Sequence, residues 1–194
     1  MPPQQLTFRA GYREGRVEAE RQVVQIAMPD AYAYKSGDVV SRIANDVALL
    51  RLETPIPTHV ISPFLVEARL LNQGEVTVVS YGRGRSTLPS LQATCAVLRS
   101  FKGVMVMNCN TTFGSSGAPV FRRDGTRIRI ASIVSGSTEI RGVRRTTGMA
   151  LPALVSALKA KLVAERSRAP VRQKRISVGT RTGGGAKFVS AGGS

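Results

Sequence analysis

Apolar and polar residues alternate in several short segments of the chain, which is the pattern of a half-buried β-strand. The alternation is clear in QLTFRAG near the start, in GEVTVVSYG and in TRIRIASIVS. Turn clusters rich in glycine, asparagine, aspartate and proline separate these segments, among them KSGD, NQG and RRDG. Strands at this spacing predict an all-β fold of the sandwich or barrel type.

A different pattern begins at Leu151. Apolar side chains recur there at helical intervals, namely Leu151, Leu154, Val155, Leu158 and Leu162. Pro152 suits the first turn of a helix, where its missing N–H is not needed. The pattern predicts one C-terminal α-helix that closes the fold. Residues 166–194 have almost no apolar periodicity and end in Gly, Ser and Lys, so we expect a disordered basic tail.

The chain has 194 residues, which is enough for one sizeable domain or two small ones with a real core. Its longest apolar runs are far shorter than the roughly 20 residues that a transmembrane helix needs. The start of the chain as given also lacks the basic and apolar regions of a secretory signal. We therefore expect neither a transmembrane segment nor, in this chain, a signal peptide.

Positive charge is concentrated towards the end of the chain. Lysine and arginine number 28 against 12 acidic residues, a formal net charge of +16. Residues 159–194 carry nine of the basic residues and one acid, half of the net charge. A basic tail is attracted to nucleic acid or to another anionic surface. Because Phe188 is its one aromatic residue, we expect salt-sensitive contact with anionic surfaces and no specific nucleic-acid partner.

The segment NCNTTFGSSGAPVF places Ser116 in a glycine-rich turn that runs directly into apolar residues. A serine in such a turn commonly makes only local hydrogen bonds. The turn also suits a nucleophile, because attack by a serine hydroxyl on a carbonyl creates an oxyanion that preorganised backbone N–H groups stabilise. Glycine at position 114 allows torsions that aim its own N–H and that of Ser116 at one point. Gly114 and Ser116 are therefore candidates for an oxyanion hole.

The family resemblance rests on two motifs in the expected order. GSSGAPVF resembles the Gly-Asp-Ser-Gly-Gly-Pro-Val signature of trypsin-like serine peptidases, with Ser116 as the nucleophile. Upstream, NDVALLRL resembles the segment Asp-Ile-Ala-Leu-Leu-Arg-Leu of the same family, whose aspartate, here Asp46, orients the catalytic histidine. The resemblance runs from about Leu6 to Leu162 and is nearer to bacterial members. It implies a serine endopeptidase that forms an acyl-enzyme on Ser116, acts on proteins or peptides, and needs no metal or other cofactor.

The fold that this resemblance implies is a pair of antiparallel β-barrels, the first incomplete, with the C-terminal α-helix after them. VTVVSYGRG resembles the first strand of the second barrel. The predicted units are residues 1–60 for the remainder of the first barrel, 61–165 for the second barrel with the helix, and 166–194 for the tail.

The same resemblance assigns further site residues. SIVSGS is similar to the strand that pairs with the substrate backbone, which places Ser135, Gly136 and Ser137 along the binding cleft. Asn110 stands where a trypsin has the aspartate that holds a basic side chain, so a preference for arginine or lysine is not expected. Ser115 replaces the family aspartate that binds a freed N-terminus, so activation through that ion pair is not expected either.

The general base of the family is missing from its usual place. It is a histidine in an Ala-Ala-His-Cys segment before the aspartate, whereas the one histidine here, His59, follows Asp46 in PIPTHVISP. That segment resembles the connection between the barrels. We expect a peptidase chain that begins partway into the first barrel and is inactive as written. The alternative is an inactive trypsin-like domain that binds proteins, with a cationic tail for an anionic surface or nucleic acid.

Two cysteines, Cys95 and Cys109, are compatible with free thiols or with one disulfide, and the number alone does not decide. LQATCAVLRS and GVMVMNC read as successive strands joined by a turn near residues 101–103, and antiparallel pairing brings the two cysteines within bonding distance. Buried thiols remain the other reading. The peptidase resemblance favours the disulfide and a periplasmic or secreted protein, because such enzymes usually work outside the cytosol.

Overall fold

The computed structural model describes residues 2–168, which form ten strands and two α-helices after a short 3-10 helix at Pro3–Gln5. The strands and helices in chain order are β1 (Thr7–Ala10), β2 (Ala19–Ala27), α1 (Val39–Ala44), β3 (Leu49–Leu52), β4 (Leu65–Val66), β5 (Gly74–Ser80), β6 (Ser90–Phe101), β7 (Val104–Met107), β8 (Pro119–Asp124), β9 (Arg127–Ile140), β10 (Val143–Met149) and α2 (Leu151–Arg168). The predicted tail lies outside the described residues except at 166–168, which continue α2.

The first sheet contains β1, β2 and β3, all antiparallel, with β2 in the middle. Its buried side chains come from β1 and β2, with Ala10, Ala19, Val23 and Ala27 at most 9% exposed. Three strands leave this sheet open. The open sheet agrees with the prediction of an incomplete first barrel.

The second sheet closes on itself. β5 pairs with β6, β6 with β7, β7 with β10, β10 with β9, β9 with β8, and β8 returns to β5, each pair antiparallel. The two-residue strand β4 pairs in parallel with β9 and is not one of the six strands that close the barrel. The barrel encloses an apolar core built from alternate side chains, chiefly Val76, Val78, Val97, Met105, Met107, Val120, Ala131 and Val134. The predicted all-β architecture with a closed antiparallel barrel and a C-terminal helix is therefore confirmed.

A disulfide joins Cys95 on β6 to Cys109, two residues beyond the end of β7, with 5.0 Å between the Cα atoms. The hairpin between these strands turns at Lys102 and Gly103, whose φ angles are +46° and +79°. Two consecutive residues with positive φ are characteristic of the tight turn that matches strand twist. The disulfide that the peptidase resemblance favoured over buried thiols is thus present, and it fixes the start of the segment that leads to Ser116.

Helix α2 lies against the first sheet. Its residues at the predicted apolar positions are buried or half-buried, with Leu151 at 1% and Leu158 at 2% exposure. The neighbouring Lys159 is exposed. Gln25 of β2 donates to the Glu165 carboxylate at 2.8 Å, and Lys161 donates to the Met28 carbonyl at 3.0 Å. None of the helices in the described part of the chain has the length and apolarity to cross a membrane.

Helix α1 was not predicted, since KSGD reads as a turn. Asp38 in that cluster is the N-cap of the helix, and its carboxylate accepts a hydrogen bond from the Ser41 N–H at 3.0 Å. Six residues are too few to display a helical period. The helix matters for function because it leads into Asp46 through Asn45, whose side chain donates to the Ser41 carbonyl at 2.8 Å.

Candidate active site

Ser116 lies exposed in the turn between Cys109 and β8. Gly114 and Gly117 on either side have φ angles of +87° and +84°, which non-glycine residues adopt at a cost. The turn is tied to the barrel through Gly117, whose N–H donates to the Val134 carbonyl of β9 at 2.7 Å. Glycines at these positions therefore let the chain present the Ser116 side chain at the barrel surface.

Two backbone donors beside the Ser116 hydroxyl are available. Among the described residues, no acceptor is bonded to the N–H of Gly114 or of Ser116. A Cβ added at Gly114 lies 3.3 Å from the Tyr81 carbonyl oxygen and 3.4 Å from the Arg83 nitrogen, so the turn packs tightly on the end of β5. Donors that are fixed in this way, and that have no internal partner, can stabilise an oxyanion.

Ser115 supports the turn from inside. It is 1% exposed, its hydroxyl donates to the Ser80 hydroxyl at 3.3 Å, and it accepts from the Thr112 N–H at 3.4 Å. A neutral hydroxyl thus satisfies the buried position where the resemblance implied an aspartate in vertebrate-type members. The turn needs no buried ion pair to hold its shape.

Ser135 of β9 contacts both predicted catalytic residues. Its hydroxyl donates to Oδ2 of Asp46 at 2.7 Å, and its backbone carbonyl accepts from the Ser116 hydroxyl at 3.3 Å. Asp46 precedes β3 in the first sheet, and Ser116 precedes β8 in the barrel. Ser135 therefore brings the carboxylate from one sheet and the hydroxyl from the other into one site.

Tyr32 is a second partner of the Asp46 carboxylate. Burial raises the pKa of the Tyr32 phenol, and so do the negative charge of Asp46 and the hydrogen bond between the two side chains. The phenol therefore remains protonated well into alkaline solution and stays a donor to Asp46. Sequence reasoning did not find Tyr32, because it lies in an irregular segment without a motif.

The two predicted catalytic residues line one cavity of about 380 Å³. Asp46 and Ser116 share its lining with Met28, Tyr32, Val47, Ala48, Gly117, Ile133 and Val134. Since one water occupies about 30 Å³ of the liquid, the cavity has room for a five-membered aromatic ring. A ring in this cavity would share its space with a carboxylate and a serine.

The family profile described as a trypsin-like peptidase domain matches residues 10–128, which include both Asp46 and Ser116. The chain belongs to this family. No curated protein has a sequence that matches this chain significantly. The family is one of peptidases, so the chain is a hydrolase by membership, and proteins are its class of substrate.

A second cavity of about 250 Å³ is also lined by Ser116. Ser116 lines it together with Thr111, Thr112, Phe113, Gly114, Val134, Gly136, Ser137 and Arg144. The predicted cleft residues Gly136 and Ser137 thus lie at this cavity, and Ser135 lies beside it. Residues of the predicted substrate-binding strand and the predicted nucleophile therefore border one cavity.

Asn110, the predicted specificity residue, does not line this cavity. Its side chain is exposed, and its backbone N–H donates to the Gln92 side chain at 2.8 Å. The buried Thr111 lines the cavity instead, with its hydroxyl 2.8 Å from that of Thr146. Sequence reasoning missed Thr111 and Arg144 as cavity-lining residues. Their place at the cavity depends on how β10 pairs with β9, and no local motif encodes that pairing.

The imidazole of His59 lies outside both cavities. His59 is exposed in the connection between β3 and β4, which joins the first sheet to the barrel. The Val60 N–H donates to the Pro57 carbonyl at 3.0 Å and makes this connection a turn. The location agrees with the interpretation of His59 as a connecting residue rather than a base for Ser116.

Proposed function

We propose that the protein is a serine endopeptidase of the trypsin-like family, with Ser116 as the nucleophile. The observation that carries the proposal is the pair of Ser135 contacts, 2.7 Å to Asp46 and 3.3 Å to Ser116, beside a cavity of about 380 Å³ that both of these residues line. Peptide substrates extend along Ser135, Gly136 and Ser137 of β9, where an extended chain can pair with the strand.

The proposed reaction requires an imidazole in the 380 Å³ cavity that this chain does not itself supply; that group would take the proton of the Ser116 hydroxyl as the oxygen attacks the peptide carbonyl. The N–H groups of Gly114 and Ser116 stabilise the oxyanion of the tetrahedral intermediate. The imidazolium then protonates the leaving amine, and Asp46 stabilises the imidazolium charge. Water, deprotonated by the same imidazole, hydrolyses the acyl-enzyme and regenerates the Ser116 hydroxyl.

The sequence contains His59 as its one histidine, and His59 lies in the connection between the sheets. The chain as given thus lacks a base in the cavity, and we expect it to react slowly. A base accounts for about 10²–10⁴ in rate. The second candidate function, favoured by this missing base, is binding of peptides in the cleft without hydrolysis.

Chemical rescue tests the proposal on the chain as it exists. A fluorophosphonate probe labels an activated serine, and intact mass measures the rate. Added imidazole should enter the cavity and speed labelling of Ser116 about 10- to 100-fold, with saturation, because only a bound base is oriented by Asp46. Ser116→Ala should abolish labelling. Asp46→Asn should remove most of the rescue.

The matched control is Asp124→Asn, which removes an equally negative but 58% exposed carboxylate at the end of β8. This variant should keep full rescue. A rate that rises linearly with imidazole and equally in the Asp46→Asn variant would contradict an oriented base. No rescue at all, in a chain that still binds peptides, would favour the binding function.

A further inference from the structure

A guanidinium lines the 250 Å³ cavity beside Ser116. Arg144 of β10 reaches the cavity, and its Nε donates to the Ser137 hydroxyl at 3.0 Å. None of the residues that line the cavity is acidic. A cavity with one fixed cation and no carboxylate favours an anionic guest.

A carboxylate lies opposite Arg144 in the sheet without forming an ion pair with it. Glu139 of β9 lies directly opposite Arg144 in the antiparallel register, so both side chains share one face. Among the described residues, Arg144 nevertheless forms no ion pair, and its guanidinium bonds to Ser137, two residues nearer to the cavity. The charge is therefore directed to the cavity and has the remaining guanidinium N–H groups to offer.

Arg83 contacts one residue of the cavity lining. Its guanidinium lies 4.8 Å from the centre of the Phe113 ring, and Phe113 lines the cavity. Thr111, another lining residue, is neutral, and its hydroxyl is bonded to that of Thr146. The charged side chain in the lining is thus a cation, which favours a carboxylate over a lysine or arginine side chain.

We infer that this cavity binds an acidic side chain of the substrate, glutamate or aspartate, and that Arg144 is the specificity-determining residue. The inference rests on the proposed function, because it assumes that peptides lie in the cleft beside Ser116. A guanidinium binds a carboxylate through two parallel N–H donors. The Ser137 hydroxyl holds Arg144 Nε and leaves the terminal N–H groups for that carboxylate.

A binding experiment tests this inference without requiring hydrolysis. Three peptides, acetyl-Ala-Ala-Glu-amide and its Gln and Lys counterparts, are titrated into ¹⁵N-labelled protein, and amide shifts of Thr111 and Ser137 report occupancy. The glutamate peptide should bind about five- to tenfold more tightly than the glutamine peptide at low salt. The lysine peptide should bind most weakly, and salt at about 0.5 M should reduce the differences.

Arg144→Gln should make the glutamate and glutamine peptides bind equally. The matched control, Arg145→Gln, removes the same charge from the next residue, which does not line the cavity, and should keep the preference. Equal binding of all three peptides to the unmodified chain would overturn the assignment while leaving the cleft intact. Loss of the preference in both variants would also overturn it. No shift with any peptide would contradict the cleft itself, and with it the proposed function.

Discussion

Breaking the Cys95–Cys109 disulfide should cost the protein a large part of its stability. The two cysteines are 14 residues apart in sequence. In the chain-entropy model, closing a loop of that size restricts the unfolded chain by about 3 kcal/mol. Domains of this kind are stable by about 5–15 kcal/mol in total. Reduction should therefore remove between about a fifth and about three fifths of the free energy of unfolding.

Reduction also isolates the covalent link better than substitution does. Both side chains are buried, at 6% and 5% exposure, so Cys→Ala variants lose sulfur packing in addition to the bond. The assay is urea unfolding followed by circular dichroism, with and without a phosphine reductant. With a slope of about 2 kcal/mol per molar urea, the midpoint should fall by about 1.5 M.

The effect should reach the substrate cavity before the rest of the barrel. The Cys109 carbonyl accepts from the Thr146 hydroxyl at 2.6 Å, and Thr146 in turn bonds to Thr111 in the cavity wall. Hydrogen exchange should therefore rise first at residues 109–116 in the reduced protein. A midpoint change under about 0.3 M, uniform exchange, or two titratable thiols in the unfolded, unreduced protein would each refute this reasoning.

Two further predictions concern the turn and the carboxylate. Gly114→Ala and Gly117→Ala should each lower stability by about 1 kcal/mol through their positive φ. In Gly114→Ala, the added Cβ meets backbone atoms within 3.5 Å, whereas in Gly117→Ala it meets none within 4 Å. Gly114→Ala alone should therefore slow imidazole-rescued labelling, by about 10-fold or more. Equal labelling rates in the two variants would contradict the oxyanion role of this turn. The pKa of Tyr32 is raised in the folded protein, so the phenol contributes to the free energy of unfolding below about pH 10. That contribution should be lost as the pH rises through the folded-state pKa. Tyr32→Phe should remove that part of the pH dependence, measured by thermal melting.

The sequence was informative where one face of a strand is consistently apolar. β1, β5 and β9 were found from alternation, and α2 from its helical spacing. β2 shows why other strands were hidden. Arg21 and Gln25 lie half-buried between the buried Ala19, Val23 and Ala27, so the inner face mixes polar and apolar residues. A bulge between Val23 and Gln25 interrupts the register further.

Some residues of the candidate site could be found from the sequence and others could not. Ser116 and Asp46 belong to contiguous motifs and were identified from the printed sequence, although their catalytic roles remain predictions. Arg144 belongs to no motif, because its place at the cavity follows from the pairing of β10 with β9. Cross-strand register depends on the whole barrel closing, and a local pattern of residues does not contain it.

The two cavities make hydrolysis and side-chain recognition separable properties of one turn. Ser116 and Val134 are the residues that line both of them. In the proposed reaction, the larger cavity, lined by Asp46, would hold the base, and the smaller one, lined by Arg144, would hold the substrate side chain. A peptide could then occupy the smaller cavity whether or not a base fills the larger. Selective peptide binding without hydrolysis would therefore locate the defect at the base and leave the cleft assignment standing.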